Sequence, residues 1–333
     1  MIKFTYIYLL LTSLNPLKNI AEETANLAQL AVALEACSYP KPGAVHRFSD
    51  FKDTKLEHFI AGSIAVGPAM RKLAFKGLLV KNGKINLQDV NIGKHIMEAI
   101  IATKNLHHGG NTNLGVVTLL APTIVGTAMM GYNYHHKFNI NSLSRNVKKI
   151  VKSTTVKDAI NFYRAVREAK AGGLGRVSCR IPDVNDPKAL KILQDKNITL
   201  YKVMRTCAKW DTICSEWVTG IQVSTQIGYP TIKEVYDKTG DLNKAIVQCF
   251  LTILAKHTDS LIARKNGLKI AKKVTEKAKK VLAMGGVLTR NGLNEVKKLD
   301  RELKTPDNRL NPGTTADLTV NSIFISLLDN IRP

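Results

Sequence analysis

The chain has 333 residues, enough for one large domain or two small ones, and length does not choose between them. Aromatic residues make up only 6%, helix formers dominate and few segments alternate apolar and polar residues, so the composition points away from sheets and toward an all-α fold. A formal net charge of +23 suggests nucleic acid or a polyanionic small molecule as partner, while five cysteines without a CxxC pair argue against a disulfide framework and a zinc site and suit a reducing cytoplasm.

Met1 to Leu14 is apolar like the core of a signal peptide, but it is too short to cross a bilayer. No small-residue cleavage site follows it, so it reads as a first helix or an extended start, and no membrane is expected. From Ile20 to Cys37 the residues Leu27, Leu30, Ala31 and Leu34 recur at helical spacing, with Glu35 near the end of the run. Tyr39-Pro40-Lys41-Pro42-Gly43 then stops the helix and stiffens a loop that continues through His46, Arg47, Asp50 and Asp53. A rigid loop dense in ionisable groups suits ligand binding; the alternative is a connector with solvated charges. Helices are expected from about Leu56 to Leu79 and from about Asp89 to Leu106.

The segment Leu114 to Met130 holds no charged residue and no polar face, which predicts a buried central helix. Before it stands Gly109-Gly110-Asn111-Thr112-Asn113, preceded by His107 and His108. Asn111, Thr112 and Asn113 are N-capping types, and glycines let backbone N–H groups approach an anion at a helix start; an ordinary capped core helix would look the same.

Further helices are expected around Ser142 to Lys152 and Thr155 to Ala171, the second closed by Gly172-Gly173-Leu174-Gly175 acting as a helix stop. No strand precedes those glycines and no Lys-Ser/Thr follows, which excludes a Walker loop and a dinucleotide fingerprint. Residues 180–188 are loop-like and mark a possible subdomain boundary within a single domain spanning 1–333. Helices resume at about Leu200 to Ile227, carrying Cys207 and Cys214 as core residues, and at about Leu242 to Ala263. Asp259, Arg264 and Lys265 lie near the end of the latter, where an acid is out of place without a partner. The run Lys269 to Lys280 lacks aromatic platforms for bases and reads as a solvated face. A last helix opens at Gly313-Thr314-Thr315-Ala316-Asp317, with Thr314 or Thr315 as N-cap and Asp317 in the first turn.

Taken together, Glu35, Pro40-Lys41-Pro42-Gly43, Asn111-Thr112-Asn113-Leu114-Gly115, His257-Thr258-Asp259-Ser260-Leu261-Ile262 and Asn311 through Leu318 resemble, in order, the signature segments of the triphosphoribosyl-dephospho-CoA synthase family. The resemblance covers most of the chain and implies an all-helical fold. It implies a reaction in which ATP loses adenine and its triphosphoribosyl group passes to the ribose 2′-hydroxyl of 3′-dephospho-CoA. The chain departs from the bacterial pattern: His46 stands for an aspartate, Asn113-Leu114 for His-Lys, and Asp259-Ser260-Leu261 for Asp-Thr-Asn. These changes resemble an archaeal and methylotroph branch and leave the acceptor as dephospho-CoA or a related riboside.

Such a displacement at an anomeric carbon needs a carboxylate, a proton donor for departing adenine, and cations for the triphosphate. Glu35, Asp259 and Asp317 are the catalytic candidates, Asp317 kept ionised by helix-start donors and Glu35 raised by its helix C-terminus. Lys41, His46, Arg47, His108, Asn111, Thr112, Asn113, Arg264, Lys265, Thr314 and Thr315 are the substrate and phosphate candidates. Mg²⁺ is expected with the triphosphate, with Asp50, Asp53 and Asp317 as possible ligands. The expected architecture is a compact all-α bundle around the helix at about 114–130. The competing readings are a basic helical nucleic-acid-binding protein and a non-catalytic nucleotide-binding relative.

Overall fold

A computed structural model describes residues 2–131, 138–170 and 181–333, with side chains described from residue 16 onward. The glycine run expected to stop a helix at 172–175 lies outside the described residues. Among the described residues there are fifteen α-helices and no strand, only an isolated bridge between His46 and Ser49.

The helices are α1 (Ile2–Cys37), α2 (Leu56–Lys81), α3 (Ile92–Leu106), α4 (Leu114–Met130), α5 (Ile140–Lys152), α6 (Val156–Ala169), α7 (Ala189–Asp195) and α8 (Leu200–Cys207). They continue as α9 (Thr212–Thr219), α10 (Tyr229–Thr239), α11 (Leu242–Lys256), α12 (Ser260–Asn266), α13 (Leu268–Ala283), α14 (Arg290–Leu303) and α15 (Gly313–Leu328).

Every residue of α4 from Val116 to Ala128 is buried. A helix with no polar face must be covered on all sides, and α2, α5 and α15 pack along α4 while α1, α3 and α9 complete its surround. Each large side chain so buried, such as Leu119, Leu120 or Ile124, contributes about 1.5–3 kcal/mol of apolar transfer. A second, smaller core lies around α12 to α14, and α11 serves both. Its Ile246, Cys249 and Ile253 face the larger core, its Phe250, Leu251 and Leu254 the smaller one.

Two long helices expected from periodicity are in fact broken. The stretch 200–227 divides into α8, α9 and a π-turn at Ser224–Gly228, because the Asp211 side chain caps α9 and Gly220 ends it at φ +74°. The stretch 242–263 divides at Lys256, and α12 leaves α11 at 54°. No single helix among the described residues is long and apolar enough to cross a membrane.

Candidate active site

One cavity of about 550 Å³ opens where the end of α1, the loop from Lys41 to Thr54, the starts of α4 and α15, α12 and the α8–α9 connection meet. Lys41, Asn111 and Asp317, from three distant stretches of sequence, share its wall.

The proline-stiffened loop is held from both sides. Asn243 accepts from the Tyr39 N–H at 2.9 Å and donates to the Tyr39 carbonyl at 2.6 Å, just before the cis Tyr39–Pro40 bond. Asp300 accepts from the Gly43 N–H at 2.9 Å, and the chain from Pro40 to His46 is buried. At the start of α4, His107 accepts from the Gly109 N–H at 3.1 Å and meets the Thr112 hydroxyl at 3.1 Å, while Asn111 Oδ1 caps the helix by accepting from Leu114 N–H. The N–H groups of Gly115 and Val116, both in the cavity wall, have no hydrogen-bond partner among the described residues. Free N–H groups at a helix start are the arrangement that suits an anion.

The three candidate carboxylates have different surroundings. Glu35 lines the cavity but forms a buried ion pair with Lys41 at 2.6 Å, and the Lys41 ammonium also donates to the Glu35 carbonyl at 2.7 Å. Burial pushes the Glu35 carboxyl up and the Lys41 ammonium down, each against the partner's charge. The rise expected at Glu35 is present, with desolvation rather than a helix dipole as its first cause.

Asp317 reverses the sequence expectation. Helix α15 begins at Gly313 with Pro312 as its N-cap, so Asp317 lies beyond the first turn and neither Thr314 nor Thr315 is the cap. Its carboxyl has no hydrogen-bond or ion-pair partner among the described residues. It packs on the Gly115 backbone so closely that a Cβ there would stand 2.0 Å from Oδ2. Burial pushes Asp317 well above the usual carboxylate range, and the charges of Glu35, Asp259 and Asp211 push the same way while Arg264 opposes them. The direction of that push favours the neutral form, opposite to the direction expected from a helix start.

Asp259 is a brace. One oxygen accepts from the N–H groups of Leu261 and Ile262 at 2.9 and 3.0 Å, the other from the N–H and hydroxyl of Thr315, both at 2.8 Å. It is buried, ties the start of α12 to that of α15, and stands outside the cavity wall where a reacting carboxylate was expected.

Among the expected phosphate ligands, Arg264, Lys265, Asn111, Thr112 and Thr314 line the cavity together with Lys41. Arg264 is bonded to Asp211, and its buried Nε has no hydrogen-bond partner among the described residues. Burial pulls the Lys265 ammonium down, with Asp53 and Asp259 opposing. His46, Arg47, His108, Asn113 and Thr315 do not line the cavity. His46 is buried, bonded through Nε2 to Asp300 at 3.0 Å, and Arg47 Nε donates to the Cys37 carbonyl at 2.6 Å. Asn113 is buried against Thr103, and His108 is exposed; the inner imidazole of the pair, His107, does the positioning. Of the expected Mg²⁺ ligands, Asp53 and Asp317 share the cavity, whereas Asp50 accepts from Leu56 N–H at the start of α2. Among the described residues no three His, Cys, Asp or Glu side chains gather into a metal-holding group.

Sequence reasoning missed Asp211, Trp210 and the exposure of Cys207 and Cys214 to the cavity. The Asp211-Thr212 pair was a capping signal inside an apolar run, and it marked the break that brings these residues to the wall.

The comparisons with known proteins follow the same lines. The family described as ATP:dephospho-CoA triphosphoribosyl transferase matches residues 21–333. The chain belongs to that family. It is 32% identical over 107 residues to the 2-(5''-triphosphoribosyl)-3'-dephosphocoenzyme-A synthase of Escherichia fergusonii, covering 32% of this chain and 35% of the relative. Its counterpart from Klebsiella pneumoniae is 33% identical over 106 residues, 32% of this chain and 34% of that protein. The matched stretch thus spans about a third of the length of these curated relatives. A crystal structure provisionally described as a triphosphoribosyl-dephospho-coA synthase from Archaeoglobus fulgidus shares the fold, with a TM-score of 0.58 at 24% identity, covering 82% of this chain and 100% of that one.

Proposed function

We propose that this chain transfers the triphosphoribosyl group of ATP, with release of adenine, to the ribose 2′-hydroxyl of 3′-dephospho-CoA or a related riboside. The observation that carries the reading is Asp317, unpartnered among the described residues and packed on Gly115, in a wall that also holds Arg264, Lys265 and the free N–H groups at the start of α4. The cations and the helix start suit a triphosphate. In the reaction the C1′–N9 bond breaks with its electron pair passing to adenine, and a ring nitrogen takes the proton held by Asp317. The acceptor oxygen bonds C1′ and passes its proton to the carboxylate of Glu35, the second carboxyl in the wall. Lys41 holds Glu35 in place and is not a free phosphate ligand. Mg²⁺ enters as part of the substrate, Mg-ATP, with Asp53 at hand in the wall. A cytoplasmic setting accords with the free cysteines.

The test is to incubate the full chain with Mg-ATP and dephospho-CoA, quantify adenine, and weigh the product. Adenine release and a triphosphoribosyl adduct are expected. Asp317→Asn, which keeps shape and loses the proton, is expected to bind Mg-ATP within about threefold of the parent while turnover falls at least about 100-fold, the scale of general acid catalysis. No adenine from the parent chain would end the reading, and an Asp317→Asn enzyme with normal turnover would remove Asp317 from it.

A further inference from the structure

The cavity wall changes character from one end to the other. Glu35, Arg264, Lys265 and Asp317 stand where α1, α4, α12 and α15 meet. Away from them the wall is apolar: Phe162 and Val166 come from α6, Pro182 and Val184 from the loop before α7, Val203 and Met204 from α8. Among the described residues the charged side chains in that part of the wall are Lys170, which is exposed, and Asp183, whose Oδ1 accepts from the Asn185 N–H at 2.8 Å. We propose that this apolar end is the seat of the acceptor, and that it receives the uncharged, amide-and-thiol arm of a coenzyme-A-type riboside.

Hydrogen bonds fix these walls in place. The Tyr163 hydroxyl donates to the Pro182 carbonyl at 2.8 Å, and Arg167 donates to the carbonyls of Val184 at 2.7 Å and Asp186 at 2.8 Å. The loop is thereby strapped along α6 by its backbone, which leaves the Pro182 and Val184 side chains to line the space. Helix α8 packs on α6 and is tied at its start to the α5–α6 connection, with Leu200 N–H donating to the Thr155 carbonyl at 3.2 Å and Tyr201 N–H to the Thr154 hydroxyl at 2.9 Å. A pre-formed apolar hollow that runs on from a polar site is the usual form of a small-molecule subsite.

The distribution of charge assigns the two substrates to the two ends. A triphosphate needs Arg264, Lys265 and the free N–H groups at the start of α4, so the donor's phosphates belong at the polar end. The reacting carboxyl lies at the junction: a Cβ on Gly115 would run into Asp317 Oδ2 and stand 2.8 Å from Cδ1 of Ile213, the α9 residue from which the apolar wall continues. An acceptor whose hydroxyl reaches that junction has the apolar end before it for the rest of its length. Phosphate would lose its hydration there with little in return, whereas an arm of methylenes and amides ending in a thiol carries no charge to desolvate, and a thiol behaves as a small hydrophobe.

The experiment measures binding to the full chain by calorimetry with three probes: dephospho-CoA, ADP-ribose and Mg-ATP. ADP-ribose keeps the adenosine diphosphate diester and puts a sugar in place of the arm, so the first two differ in the arm alone. Dephospho-CoA is expected to bind the parent at least about tenfold more tightly than ADP-ribose. Val184→Trp, which fills the hollow from the loop, is expected to erase that preference while Mg-ATP affinity stays within about threefold, because the donor's contacts lie elsewhere. Phe162→Ala, which takes a half-buried ring out of the wall, is expected to weaken dephospho-CoA by at least about fivefold with the same indifference of Mg-ATP, and it decides alone if Val184→Trp does not fold. Equal affinity of the parent for dephospho-CoA and ADP-ribose would overturn the proposal. So would variants that leave dephospho-CoA binding unchanged, or that weaken Mg-ATP as much, since the apolar end would then hold the donor's adenine. The proposal rests on the transfer reading for the choice of acceptor. If the parent releases no adenine, that reading falls, while the binding preference and its loss in the variants still decide the subsite.

Discussion

Asp317 and Glu35 were both visible in the sequence as candidate acids, yet their protonation was legible only from the packing. Helix-terminus effects are worth about 0.3–1 kcal/mol at exposed sites, whereas taking a carboxylate out of water costs several kcal/mol, so burial decides at both positions. Glu35 recovers part of that cost from Lys41; Asp317 has no such partner among the described residues. The consequence is a stability dependence with a definite sign. The folded-state pKa of Asp317 lies above its unfolded value, so the native state holds the proton more tightly. The associated stability is complete below the ordinary carboxylate range and is lost as pH rises through the raised folded value. Asp317→Asn removes that loss. Thermal unfolding followed from pH 4 to pH 8.5 is expected to show the variant more stable than the parent at the alkaline end, with the gap closing toward pH 4. A variant less stable than the parent at pH 8.5 would mean that the carboxylate has a partner in the folded protein.

The charge-free run Leu114 to Met130 identified α4 and its burial directly, because no other arrangement of seventeen such residues avoids exposing apolar surface. The breaks at 207–212 and 256–260 were marked only by capping residue types, Asp211 and Asp259, which a reading of apolar periodicity alone runs across. Asp211 and Asp259 end one element and start the next by offering backbone N–H groups an alternative acceptor, and each thereby turns a helix end toward the cavity. Asp259 also fastens α12 to α15 through Thr315, so it fixes the segment on which Arg264 and Lys265 stand relative to the one that carries Asp317. Asp259→Ala leaves up to four buried donors unpaired and is expected to destabilise the fold by about 2–4 kcal/mol, combining a lost cap with buried unsatisfied groups. Urea unfolding measures it. A loss under about 0.5 kcal/mol, the ordinary scatter of surface substitutions, would show that the brace carries no weight.

The net charge of +23 admitted two kinds of partner, and the arrangement of the lysines separates them. Lys269, Lys272, Lys273, Lys277, Lys279 and Lys280 are all exposed on α13, and Lys277 and Lys279 are paired with Glu302 and Glu276. Three of the cations that line the cavity are drawn in from solvent: Lys41 is buried against Glu35, Arg264 is held by Asp211, and Lys265 is half-buried beside Asn308, while Lys170 stands exposed at the wall. Exposed lysines without aromatic platforms bind a polyanion only through counterion release, which is sequence-independent and weakens steeply with salt. A triphosphate seated in the cavity meets partly desolvated charges that salt screens far less. Binding of duplex DNA is therefore expected to fall linearly on a log–log plot against salt and to vanish near physiological ionic strength, while Mg-ATP affinity changes by less than about threefold over the same range. Fluorescence anisotropy with a labelled duplex, run beside calorimetry with Mg-ATP, separates the two. Tight, sequence-selective duplex binding at physiological salt would make the lysine face of α13, and not the Asp317 cavity, the centre of this protein's function.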